Sequence, residues 1–250
     1  MTGASRWLFL THFVGNALLL WLGYYWLGVG ESTTTRLLWS GILAVIMICG
    51  ALWLHGAGFA YFRFPDRSAA RPAFRAALAH LPALFLIAIV ALLIYGALAW
   101  WGDYSTQPAL KMASYLTLKT RKPVKPASVQ AVFNGVLWVM RWLVVPVILL
   151  PLGSAIASKG WHGLRGESRG VRRRPLYWIE VIGLLLVGIW VPLKLIVWVP
   201  GLSSFGLQMV SFVLRLLIAY LLFTAALLSL EFFSSGGRPR VSQARTASAP

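Results

Sequence analysis

An all-α polytopic membrane protein, a bundle of about six transmembrane helices, is the fold class that this sequence predicts. Three observations carry the prediction. A hydrocarbon layer of about 30 Å needs about 20 helical residues to cross it. The apolar runs 7–29, 37–62, 77–101, 129–157, 176–200 and 202–230 all meet that length. Hydrophobic residues make up 59% of the chain and charged residues 12%, against about 25% charge in soluble domains; in water so apolar a surface aggregates. Aromatic residues gather at the ends of the runs, where amphipathic rings sit at the membrane–water boundary.

Arg6 precedes the first run, Trp7 to Val29. The run is too long and too bulky for the core of a signal peptide and ends without a small-residue cleavage site, so it reads as an uncleaved span. Tyr24, Tyr25 and Trp26 close it. Trp39 opens the second span and Tyr61 with Phe62 closes it, while Trp100 and Trp101 close the third. The small pairs Gly56/Ala60 and Gly153/Ala157 suit close helix packing.

Residues 102–128 form a basic loop or an interfacial helix. Thr106 is placed to cap a short helix with Pro108 in its first turn, and Pro123 and Pro126 to stop it. Leu110, Met112, Tyr115, Leu116 and Leu118 do not make one clean helical stripe. An interfacial helix is the expectation, and a solvated linker is the other reading.

The fourth and fifth spans carry Pro146, Pro151, Pro192 and Pro200. Pro146 and Pro192 each remove a helical hydrogen bond and free the carbonyls of Trp142 and Gly188. Tyr177 and Trp178 open the fifth span, and Trp198 closes it. The sixth runs to residue 230, so residues 1–233 are expected to form a single transmembrane domain. Residues 234–250 are Ser, Gly, Ala, Pro and Arg with almost nothing apolar, and are expected to be a disordered tail. A long loop between two sets of three spans suits an inverted repeat. Beyond Phe13-Val-Gly15 and Phe133-Asn-Gly135, however, the halves share no sustained similarity.

Sidedness follows from Lys and Arg in short loops. With the N-terminus in the cytoplasm, fourteen basic residues lie inside: Arg6, those at 63–75, those at 159–174 and those of the tail. Six lie outside: Arg36 and the five between Lys111 and Lys125. Fourteen against six places both termini in the cytoplasm, although the 102–128 loop is as basic as a cytoplasmic one. The net charge of +17 is accordingly assigned to topology and to anionic lipid headgroups, not to nucleic acid. The basic loops and the lack of an N-x-S/T acceptor suit a bacterial inner membrane.

Three basic residues fall within spans: Arg141, Lys194 and Arg215. A central Arg costs about 2.5–3.5 kcal/mol on insertion scales, so it faces the bundle interior or water. One reading makes Arg141 and Arg215 structural, satisfied by carbonyls, water or Glu180. The other makes them, with Lys194, the lining of a site for an anion or a lipid headgroup. Glu180 and His55 are the expected intramembrane polar partners. His55 is read as an interhelical contact and not as a cofactor ligand, because no histidine pair or carboxylate stands at ligand spacing along the chain.

No catalytic residue, metal site or cofactor is assigned. Cys49 is the lone cysteine, so a disulfide or a cysteine metal site is excluded, and no phosphate-binding loop occurs. His12, His80 and Glu180, all near the cytoplasmic face, are the grouping most open to assembly in space. The expected function is a non-enzymatic accessory, scaffold or regulatory subunit that meets lipids and other membrane subunits. The alternative is a small transporter or lipid-handling protein using Arg141 and Arg215.

Overall fold

The structure, a computed structural model, describes residues 3–30, 32–64, 70–165, 169–201 and 203–236. These are helical with no strand among the described residues, and six helical segments are long and apolar enough to span a membrane: Arg6–Leu27, Thr34–Arg63, Leu81–Tyr104, Pro126–Leu164, Pro175–Val197 and Phe205–Ser234. The chain is an integral membrane protein of the all-α polytopic class. Large apolar side chains such as Leu18, Leu92, Leu193 and Val213 are exposed along these segments. For a lipid-solvated surface that is the favourable arrangement.

Helix α1 spans Gly3–Leu27 and α2 Thr34–Arg63. The hydroxyl of Thr33 accepts from Arg36 N at the start of α2, satisfying one of the unpaired amides there. The helix ends at Phe64, extended at φ −67° and ψ 139°, as a residue preceding a proline must be. The sequence places the start of the third span at 77. Instead, a short helix, α3 (Arg71–Ala79), stops at His80, and α4 (Leu81–Tyr104) begins afresh. Pro82 explains the break: its ring clashes with the carbonyl four residues back and it has no N–H to donate.

The 102–128 stretch is a helix and not a plain linker: α5 covers Thr106–Thr120. Thr106 is its first residue, not its cap; the preceding Ser105 turns its hydroxyl onto Gly102 O at 2.7 Å. The helix ends at Arg121, left-handed at φ 55°. Pro126 opens the next helix instead of stopping the last.

The fourth and fifth spans share one device. Helix α6 (Pro126–Val139) passes through a π-helical turn, Met140–Val144, into α7 (Val145–Lys159). Beyond a short 3₁₀ turn (Gly160–Leu164) and the four-residue α8 (Arg169–Arg172), α9 (Pro175–Leu185) passes through Leu186–Trp190 into α10 (Val191–Val197) in the same way. Each π turn lies immediately before a Val-Pro pair, Val145-Pro146 or Val191-Pro192. The amide ahead of each proline reaches back five residues, Val145 N to Met140 O and Val191 N to Leu186 O, which rearranges the bonding that proline interrupts. Helix α11 (Phe205–Ser234) is capped by Ser204, whose Oγ accepts from Leu207 N at 3.3 Å.

The chain divides into two compact units, Met1–Leu84 with Leu150–Pro250, and Phe85–Leu149. In the first, α11 packs on α1, α2, α9 and α10, and α2 on α3. Its cluster of Leu8, Ala60, Tyr61, Ala70 and Ala73 joins α1, α2 and α3. In the second, Ala109 and Ala113 of α5 pack on Val129 of α6. Ser234 is buried at the end of α11; of the tail expected over 234–250, residues 237–250 lie outside the described residues.

Candidate functional site

Each of the two arginines donates to a backbone carbonyl of a neighbouring helix. Arg215 of α11 donates from Nη1 to Leu195 O and from Nε to Ser211 O, both at 3.2 Å. Leu195 lies in the last turn of α10, where carbonyls have no helical partner and the dipole favours a cation. The guanidinium also sits 5.9 Å from the rings of Trp198 and Phe212. Arg215 thus caps a neighbouring helix. Lys194 is exposed, with Nζ 5.7 Å from the Trp190 ring.

Arg141 lies in the π turn of the other unit. Its Nη2 donates to Leu98 O of α4, and Tyr95 Oη donates to Arg141 O at 2.8 Å. Gly102 makes the room: a Cβ there would lie 3.1 Å from Arg141 Nη2. Asp103 and Asn134 line the same cleft, and Arg141 Nε is buried with no hydrogen-bond partner. The carbonyls of Trp142 and Gly188, singled out by the sequence, are not the ones these arginines use. Glu180, half-buried on α9, is not the partner of Arg215.

His55 finds a different carboxylate. His55 Nδ1 lies 2.8 Å from Glu231 Oε1, and His12 Nε2 lies 3.3 Å from Glu231 Oε2. His12 and Glu231 are 0% and 2% exposed, while the His55 side chain is 26% exposed. Three helices supply the group: α1 through His12, α2 through His55, α11 through Glu231. The three donor atoms lie within 4.8 Å of one another.

Local sequence explains the convergence. Leu8, His12 and Asn16 recur every four residues and are all buried, forming one stripe of α1. Asn16 Nδ2 donates to His12 O at 2.9 Å, and the Tyr220 hydroxyl of α11 donates to Phe13 O. On α2, His55 and Gly58 share a face at i, i+3, and Gly58 leaves the space that the group fills. A Cβ there would lie 1.8 Å from Glu231 Oε2 and 2.9 Å from His12 Nε2. On α11, Ser235 Oγ at the helix end donates to Glu231 O at 2.7 Å.

The grouping that the sequence left most open, His12 with His80 and Glu180, is not the one assembled. His80 Nδ1 instead meets Ala157 O at 3.0 Å. What the sequence reading missed is the pairing of His12 with a glutamate at the far end of the chain. The available signal was the buried polar repeat His12-x₃-Asn16, together with a glycine one turn after His55. No protein-family model, curated protein or solved structure matches this chain.

Proposed function

We propose that this is a non-enzymatic membrane protein acting by contact, an accessory or scaffold subunit that packs against other membrane proteins and lipids. The observation that supports this most is the fate of the intramembrane arginines: Arg215 is spent on Leu195 O and Ser211 O, and Arg141 on Leu98 O. Charges bound to their own helix ends and carbonyls hold a bundle together and leave an apolar face for partners. On this reading the basic loops meet anionic headgroups of a bacterial inner membrane, with both termini in the cytoplasm.

The test is cross-linking in native membranes followed by purification in mild detergent. A stoichiometric membrane-protein partner is the expected result. Purification as a lone species that carries an anionic solute across liposomes, with the flux lost in Arg141→Ala while the fold persists, overturns it. That second result is the alternative reading, an anion- or lipid-handling protein. It draws on the cleft of about 390 Å³ that Arg141 lines with Asn134; Asp103 in the same cleft opposes an anion there.

A further inference from the structure

The arrangement of His12, His55 and Glu231 carries an inference independent of the contact role. His12 Nδ1 lies 3.0 Å from Leu8 O. A carbonyl only accepts, so Nδ1 carries the proton, and in the neutral ring Nε2 presents a lone pair. That lone pair faces Glu231 Oε2 at 3.3 Å. Both atoms are fully buried, and neither has a hydrogen-bond partner in acceptable geometry. Two acceptors confronting each other inside a bundle are stable only with a cation between or beside them.

The spacing decides which kind of cation. A charge-assisted N–H···O bond closes to about 2.7–2.9 Å, as the His55–Glu231 contact does at 2.8 Å. Two donors bound at about 2.0–2.1 Å to one tetrahedral ion stand about 3.3 Å apart. The His12–Glu231 separation of 3.3 Å has the second value, not the first. Two imidazoles and one carboxylate are the donor set of borderline divalent ions such as Zn²⁺ and Fe²⁺, not of Mg²⁺ or Ca²⁺. The Nδ1–H bond to Leu8 O supplies the outer contact that orients a ligating imidazole. The part-exposed His55 side chain leaves the trio uncovered on one side.

We propose that His12 Nε2, His55 Nδ1 and a Glu231 carboxylate oxygen bind one divalent transition-metal ion of the zinc class, with Gly58 as the cradle that keeps its position open. The ion ties α1, α2 and α11 together and leaves a coordination position free for water or another ligand. Ligation by His55 requires its Nδ1 deprotonated, so the metal-bound form has the His55 proton on Nε2.

The test uses full-length, tag-free protein in detergent, titrated with Zn²⁺ and, as an optical reporter, Co²⁺. One equivalent per chain is expected, with Mg²⁺ failing to compete. His12→Gln, His55→Gln and Glu231→Gln are each expected to weaken Zn²⁺ binding by at least about tenfold, while His162→Gln, at an exposed position outside the trio, leaves it unchanged. X-ray absorption on the wild-type zinc form, which needs no variant to fold, is expected to show two imidazoles and no sulfur. Failure of the wild type to take up Zn²⁺ overturns the proposal, and identifies the trio as an ion pair. An absorption spectrum with fewer than two imidazoles, or binding indifferent to all three substitutions, also overturns it.

Discussion

At the scale of single residues, the interior of the first unit is set by what stands opposite each small or charged group. Gly58 is the sharpest instance. A methyl group there would displace Glu231 Oε2 from 1.8 Å, and the carboxylate can yield only by leaving His12 and His55 in a fully buried position. Gly58→Ala is therefore expected to lower the unfolding midpoint in detergent, by the equivalent of about 1–3 kcal/mol for an overpacked site. Gly41→Ala meets nothing within 4 Å and is expected to be neutral or slightly stabilising, since Ala is the better helix former. Arg215 allows a second residue-level prediction. Its guanidinium bonds to Leu195 O and Ser211 O through separate nitrogens, a geometry that a lysine cannot reproduce. Arg215→Met should destabilise the bundle by about 1–3 kcal/mol by stranding the end of α10. Arg215→Lys should recover part of that loss, because the charge at the helix C-terminus survives. Thermal unfolding of the two variants side by side checks both statements; equal midpoints for all three proteins would show that Arg215 caps nothing. The cost of Arg141 and Arg215 was legible in the sequence, because a charge inside an apolar run announces itself. Their partners were not, since Leu98 and Leu195 are ordinary residues whose carbonyls matter only once helices are placed side by side.

At the scale of elements, the proline-bearing spans show how much a local rule can say. The sequence predicts similar kinks at the two Val-Pro sites, and the structure resolves each as a π turn ending two residues before its proline. The π turn itself was not legible, because proline in a helix admits several repairs and the neighbours choose among them. Within the second of these turns, Gly188 lets the helix approach α11 closely. A Cβ at Gly188 would lie 2.5 Å from the Cβ of Ala226, so one methyl must be absent for the two backbones to meet. Gly188→Ala is expected to lower the unfolding midpoint. Adding Ala226→Gly should restore much of it, with a coupling energy of about 0.5–3 kcal/mol between residues in contact. Additive losses in the double variant would separate the two positions and refute the close approach. The short α3 and the start of α4 teach the same lesson from the other side. Hydropathy runs smoothly through 77–101, and only Pro82 signals that the third span begins at Leu81.

At the scale of the whole chain, the number of spans was legible because bilayer thickness imposes a length that few other structures need. The site of His12, His55 and Glu231 was not, because its ligands come from the first, second and last spans, and nothing local to any of them names the others. Sidedness rests on loop charge alone, and its weak point is the basic segment that the structure resolves as α5 and the turn after it. Lys111, Lys119, Arg121, Lys122 and Lys125 are all exposed there. Exported, they oppose the tendency of Lys and Arg to stay in the cytoplasm; retained, with the N-terminus inside, they would require an even number of crossings before them. Since three of the six spanning segments precede this stretch, an N-terminus inside puts it outside. The two arguments meet in one measurement. In a Cys49→Ala background, single cysteines replace Ser32, Lys122 and Gly170, all exposed, and intact cells are treated with a membrane-impermeant thiol reagent. Positions 32 and 122 are expected to label from outside, and position 170 only after the membrane is opened. Labelling at 32 without labelling at 122 would mean that one of the two intervening segments fails to cross. The five basic residues between Lys111 and Lys125 would then lie inside, and the six apolar helices would no longer all be spans.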